Sequence, residues 1–179
     1  RIMSFTWMDG FIGAGTLVDV DNPRRYIAGL GVGGLTMPAR DYYLTDAEPY
    51  IGHRKALQEY MAASFRRAGI SEPEARAAKV MALETEIAKR HWTTAQRRDV
   101  VAMNKVMSPA ELKAFAPGFP WDAFLAEMKF EGQSRIKVTT DTAVGDLAAL
   151  FAQTTVEDLQ SFLMYKTLDA WADSLSEEW

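Results

Sequence analysis

Two histidines, one glutamate on an apolar helical stripe and a glycine cluster are the residues of this chain whose types and spacing invite chemistry. A catalytic zinc site needs three protein ligands around an open position, and its common sequence form sets two histidines four apart with a glutamate after the first. His53 is followed by Arg54 and His91 by Trp92, so neither opens such a motif. Glu84 stands four residues after Val80 and three before Ile87, which places it at the edge of an apolar face or inside it. It could serve as an acid of raised pKa or as a metal ligand; the structural alternative is an anchor for an arginine of Arg97-Arg98-Asp99. Glu84 and His91 lie two helical turns apart, about 10 Å by the helical rise, too far to share one ion. Glu84 and Glu86, at i and i+2, point away from each other and make a poor acid–base pair. No serine occupies a Gly-x-Ser-x-Gly elbow. Gly31-Val32-Gly33-Gly34 lacks the lysine and helix start that a phosphate loop requires. Cysteine is absent, which removes disulfides, thiolate ligands and thiol nucleophiles. The sequence offers no catalytic or metal-binding residue and leaves substrate-binding residues unassigned.

The elements that would position these residues are mostly helical. A helix is expected from about Pro49 to Ala68, capped by Thr45-Asp46 and closed by Gly69 in a left-handed conformation. Ser71-Glu72-Pro73-Glu74 reads as a capping box opening a helix to about His91, with Val80, Leu83, Ile87 and His91 on one stripe. Ser108-Pro109-Ala110-Glu111 opens a short helix to about Phe115, and Pro117, Gly118 and Pro120 end it. Trp121, Phe124, Leu125 and Met128 mark another helix. Arg135 to Thr139 alternates polar and apolar, as an edge strand would. Asp141 or Thr142 is expected to cap a helix to about Gln153. Thr155 to Asp158 caps the last helix, whose apolar face carries Leu159, Phe162, Leu163, Leu168, Trp171 and Leu175.

Ahead of these helices, Thr16–Val20 and Arg25–Leu30 are β-favouring runs around the turn Asp21-Asn22-Pro23, predicting a hairpin. The opening residues, with Phe5, Trp7, Met8, Phe11 and Ile12 between glycines, read as irregular or short extended structure packed on the core. An exposed peptide-binding strip is the other reading. The expected fold is mainly α, a multi-helix domain with a small N-terminal β-hairpin: one helical unit over 1–179, with hairpin and corner in 1–44 and helices in 45–179.

Composition agrees with a folded domain. Apolar residues make up 48% and charged residues 25% of 179, and a chain of that length buries roughly 70% of its unfolded surface. A net charge of -4 disfavours nucleic acid as a partner, since binding phosphates wants a basic face. No run approaches the roughly 18 apolar residues that cross a bilayer, and no basic-then-apolar leader heads the chain. Arg1, standing where an initiator methionine would, points to a processed or excised piece.

Between the hairpin and the helices runs Gly33-Gly34-Leu35-Thr36-Met37-Pro38-Ala39-Arg40-Asp41-Tyr42-Tyr43-Leu44. Paired glycines permit positive φ, Pro38 holds Met37 extended, and Arg40, Asp41, Tyr42 and Tyr43 suit a buried, hydrogen-bonded corner. The segment resembles the Gly-Leu-x-Leu-Pro-x-Arg-Asp-Tyr-Tyr-Leu signature of the neprilysin family of zinc metalloendopeptidases, with Met37 for the usual leucine and Ala39 for the usual aspartate. Three further segments are similar to that family. They are the Asp21-Asn22-Pro23 turn, the Glu84 helix followed by Arg98-Asp99, and the Pro-x-Phe-x-Trp-x-x-Phe-Leu-like run through Trp121. Met103-Asn104 stands where tyrosine-asparagine is customary.

The resemblance implies a noncatalytic helical portion from the N-terminal half of such a peptidase, restricting access to the peptide-binding cavity and helping to enclose it. It implies zinc for the intact parent and none in this span. Its partners would be the catalytic domain of the same parent chain and peptide substrates, with self-association of the isolated piece a further expectation. The family spans several compartments and leaves localisation open, with a lean to extracytoplasmic. A stand-alone helical peptide- or protein-binding module is the competing reading, and a degenerate homologue kept for scaffolding a third.

Overall fold

The structure, a computed structural model, describes residues 10–174. It is mainly helical, with seven α-helices and a four-stranded sheet among those residues. The chain divides into two compact units, each built from separated stretches of sequence.

The first unit takes Phe11–Gly33 and Arg90–Gln153. Strands β1 (Ile12–Val18) and β2 (Tyr26–Val32) form the expected hairpin, paired antiparallel from Ile12↔Val32 to Val18↔Tyr26. β1 starts and ends earlier than the β-favouring run Thr16–Val20, and it ends at Val18 because Asp19 belongs to the turn. Asp19 Oδ1 accepts from the Asp21 N–H (3.0 Å), Asn22 Oδ1 accepts from the Arg24 N–H (3.2 Å), and the Arg25 N–H donates to the Asn22 carbonyl (2.8 Å). Short polar side chains thus supply the turn's hydrogen bonds. Asp19 is buried and also accepts from Arg25 (3.3 Å) and Arg135 (3.1 Å).

The hairpin is half of a larger sheet with strand order β1-β2-β4-β3. β4 (Ile136–Val138) runs parallel to β2 and antiparallel to β3 (Lys105–Met107). The alternation around Ile136 therefore marks an interior strand, and the edge-strand expectation is corrected: Ile136 and Val138 are fully buried on one face while their neighbours on both sides satisfy the backbone. β3 has no counterpart in the sequence reading, since three residues carry too little periodicity to announce a strand.

Helix α4 (Pro109–Phe115) starts at a full capping box, in which Ser108 Oγ accepts from the Glu111 N–H and the Glu111 carboxylate accepts from the Ser108 N–H. α5 (Trp121–Glu127) buries Trp121, whose Nε1–H donates to the Ala116 carbonyl (2.7 Å), and Phe119 packs edge-on against Phe124 and Phe151. α6 (Asp141–Gln153) buries Val144, Leu147 and Ala148 completely. Of its expected cap residues, Asp141 accepts from the first-turn Thr142 N–H through Oδ1 (2.7 Å) and pairs with Lys105 through Oδ2 (2.9 Å), while Thr142 Oγ1 accepts from Trp92 (2.7 Å).

Of the second unit, 10, 34–89 and 154–174 are described. The corner leads into a four-residue helix α1 (Asp41–Leu44) that propensity alone does not flag. α2 (Tyr50–Arg67) has Pro49, and not Thr45 or Asp46, at its N-cap. It ends in a Schellman motif: Gly69 sits at φ +68°, the Ile70 N–H donates to Phe65 and the Gly69 N–H to Arg66. α3 (Pro73–Arg90) opens on proline and buries Ala77, Val80, Met81, Glu84, Ile87 and Ala88 along one stripe. α7 (Val156–Trp171) is capped by Thr155, whose Oγ1 accepts from the Asp158 N–H (3.2 Å). Polar ties hold α7 to the other helices of this unit: Arg76 to Ser161 (2.9 Å), Lys79 to Glu157, and Tyr60 to Asp169 (3.1 Å). Phe5, Trp7, Met8 and Leu175 lie outside the described residues; Phe11 and Ile12 are buried, as core packing of that segment requires.

Candidate functional site

Chemistry-bearing side chains gather most densely around Glu84 in the second unit. Gly34, at φ +90°, turns the chain where an added Cβ would meet Ile87 Cδ1 at 3.0 Å, so the backbone of the corner passes directly over α3. That close approach delivers Thr36 to Glu84. Glu84 Oε1 accepts from the Thr36 hydroxyl (2.7 Å) and Lys166 Nζ (2.9 Å); Oε2 accepts from the Thr36 N–H (3.1 Å) and the Tyr43 hydroxyl. Lys166 also donates to Thr36 Oγ1 (2.9 Å), closing a ring of three groups. The Tyr43 oxygen in turn accepts from the N–H groups of Thr36 (3.0 Å) and Met37 (2.9 Å).

Burial makes this cluster costly to disturb. Glu84 is 0% exposed and Lys166 5%. The Lys166 ammonium lies 5.4 Å from the Phe162 ring centre and 5.8 Å from that of Tyr165, within cation–π range. Burial, reinforced by the charge of Glu84, pushes the Tyr43 hydroxyl well above the usual phenol range. Burial does the same to Tyr165. The phenol of Tyr43 is therefore a donor to Glu84 throughout the ordinary pH range.

Lys166 corrects the expected partner of Glu84: its cation comes from the last helix and not from Arg97 or Arg98. The signal was present in the sequence, since Lys166 lies four residues after Phe162 and seven after Leu159, on the apolar face of α7. Thr36 carried no signal beyond its place in the corner.

The other motif residues have separate duties. Arg40 donates through Nε to the Ala88 carbonyl (3.3 Å), tying the corner to the same helix that carries Glu84. Asp41 is exposed in the first turn of α1, where a negative charge suits the helix dipole. Tyr42 packs edge-on against Tyr50 (5.3 Å) and lies 5.6 Å from the His53 ring. Arg54 fastens this corner by donating to the carbonyls of Tyr42 (3.1 Å) and Thr45 (2.7 Å). Arg98 and Asp99 belong to the first unit, in and after a single turn of 3-10 helix; Asp99 accepts from the N–H groups of Val101 and Ala102 (both 3.0 Å).

These residues do not fit a catalytic zinc ion. His53 is engaged with Tyr42, and His91 Nε2 lies 3.0 Å from the Gly33 carbonyl. Among the described residues no group of three or more histidine, aspartate or glutamate side chains could share a metal. The buried carboxylates among them, Asp19 and Glu84, are each ringed by cationic and neutral donors. What the arrangement does chemically is lock a backbone corner to two helices.

Comparison with known proteins gives this architecture its family. The sequence model described as Peptidase family M13 matches residues 1–179. Neprilysin-3 of Drosophila melanogaster is 32% identical over 132 residues, which are 70% of this chain and 16% of the fly protein. Among solved structures, the Mycobacterium tuberculosis zinc metalloprotease Zmp1 in complex with an inhibitor superposes with a TM-score of 0.90 at 22% identity, over 99% of this chain and 28% of that one. PepO from Lactobacillus rhamnosis HN001 gives a TM-score of 0.75 at 12% identity, with the same two shares of 99% and 28%. The chain thus spans under a third of the length of each of these relatives. It belongs to peptidase family M13, of which it is an N-terminal portion.

Proposed function

We propose that this chain is the noncatalytic helical portion of a neprilysin-like zinc metalloendopeptidase, and that it restricts access to the peptide-binding cavity and helps to enclose it. The hydrolytic zinc of the parent and its ligands lie on this reading in the catalytic domain of the same chain, and peptides are the substrates. The observation that carries the proposal is the saturation of Glu84. The most deeply buried carboxylate among the described residues has two polar partners on each oxygen, supplied by Thr36, Tyr43 and Lys166, so it holds a wall in shape and leaves no oxygen for water or metal. A wall of this kind needs rigidity more than reactivity, because exclusion of long substrates depends on a boundary that does not yield.

The test compares the 179-residue chain with the protein at the full length its gene encodes. Zinc content and hydrolysis of a quenched fluorescent peptide are measured on both, and the full-length protein is given peptides of increasing length. The expected result is stoichiometric zinc and hydrolysis only at full length, with kcat/KM falling steeply once the peptide outgrows the cavity. Hydrolysis with bound zinc by the 179-residue chain alone, or equal rates on short peptides and unfolded proteins, overturns the proposal.

A further inference from the structure

The chain contains five pairs of adjacent basic residues: Arg24-Arg25, Arg54-Lys55, Arg66-Arg67, Lys89-Arg90 and Arg97-Arg98. Three lie in α-helices and a fourth in a short hairpin turn. Arg24-Arg25 sits in the hairpin turn, with Arg25 tied to Asp19 by side chain and backbone. Arg54-Lys55 and Arg66-Arg67 lie on α2, and Lys89-Arg90 ends α3. Arg97-Arg98 falls in the long connection between Arg90 and Lys105, in a single turn of 3-10 helix with no α-helix or strand around it.

That connection is open on both sides of the pair. Every residue from Thr94 to Val101 is exposed, and Val100 and Val101, at 80% and 86%, are the most exposed large apolar side chains among the described residues. Neither guanidinium of Arg97-Arg98 has a partner there. The hydrogen bonds that shape the segment close within it: Arg97 N–H to Thr93, Arg98 N–H to Ala95, Asp99 N–H to Gln96, and the Thr93–Gln96 and Asp99 side-chain bonds. Straightening it breaks only single-turn backbone bonds and local side-chain bonds, whereas a protease reaching the helical pairs must unwind packed helix.

We propose that Arg97-Arg98 is a cleavage site for an endopeptidase that cuts after basic residues, and that the cut chain stays assembled. This inference is independent of the function proposed above. Hydrolysis breaks the amide after Arg97 or Arg98; water supplies oxygen to the new carboxylate and hydrogen to the new amine. Each unit then bridges the two fragments. In the first, β4 remains paired with β2 and Arg135 with Asp19. In the second, Lys166 remains on Glu84 and Arg76 on Ser161.

The test is limited trypsin digestion of the full-length natural protein under native conditions, read by mass spectrometry and native size exclusion. The expected first cut within this region follows Arg97 or Arg98 and is at least about 100-fold faster than any at the helical pairs, because those sites wait for sub-global opening. The fragments co-elute, and Arg97→Gln with Arg98→Gln removes the cut while leaving the circular dichroism melt unchanged. A first cut in this region at another pair, resistance of the loop over the same digestion, or separation of the fragments without denaturant overturns the proposal.

Discussion

Replacing Lys166 with methionine removes the ammonium from the Glu84 cluster while keeping most of its apolar stem. The pair is 2.9 Å apart, with side chains 5% and 0% exposed, so solvent cannot take over the role of the lost cation. Breaking a buried pair by deleting one partner typically costs about 3–5 kcal/mol, because the remaining charge is left uncompensated. Against a total stability of about 5–15 kcal/mol this is a large fraction. With a urea slope of about 2 kcal/mol per molar, the unfolding midpoint falls by about 1.5–2.5 M. The assay is urea unfolding followed by circular dichroism and tryptophan fluorescence. Glu84→Gln in the same background should recover at least about 1 kcal/mol, since a neutral amide no longer demands a counter-ion. Arg66→Ala is the control: its partner Glu74 is 68% exposed and Arg66 61%, and an exposed pair is worth about 0–1 kcal/mol. A Lys166→Met midpoint no lower than that of Arg66→Ala would refute the reasoning, because it would mean that Glu84 needs no cation.

Three further outcomes follow from the same fold. Tyr43 and Tyr165 both have hydroxyls raised above the usual phenol value of 10.0, so the folded state holds their protons more tightly than the unfolded one. Their contribution is full below pH 10 and is lost as pH rises beyond it, by up to about 1.4 kcal/mol per pH unit for each phenol, and Tyr43→Phe should flatten that alkaline slope in pH-dependent urea titrations. Gly69→Ala and Gly34→Ala both place a side chain at positive φ, a cost of about 1–2 kcal/mol. Only Gly34 has an obstacle, Ile87 Cδ1 at 3.0 Å, so its variant should melt at the lower temperature. Ser108→Ala deletes the capping box of a seven-residue helix and should lower stability by about 1 kcal/mol in urea unfolding, with Ser108→Asn restoring most of it.

Local signals in this chain were strong wherever a short stretch could satisfy itself. The Ser108–Glu111 box, the Gly69 stop, the Thr155 cap and the Asp21-Asn22-Pro23 turn involve residues within a few positions of each other, and their hydrogen bonds need no distant partner. Periodicity likewise marked the stripe of α3 and the depth of Glu84 within it, because a helix displays every third or fourth residue on one face. The family signature was legible for the same reason: the corner's glycines, proline and tyrosines are contiguous. Tertiary structure alone decided which cation meets Glu84, since Lys166 is 82 positions away and its place on the apolar face of α7 marks it as buried without saying which carboxylate it meets. It also decided that Ile136–Val138 is an interior strand and that Lys105–Met107 is a strand at all, because pairing across a sheet is a property of two backbones brought together from far apart. Burial is set by everything that packs around a residue. A sequence can therefore announce that a charge lies on an apolar face, but only the folded chain supplies the partner that makes such a position tolerable.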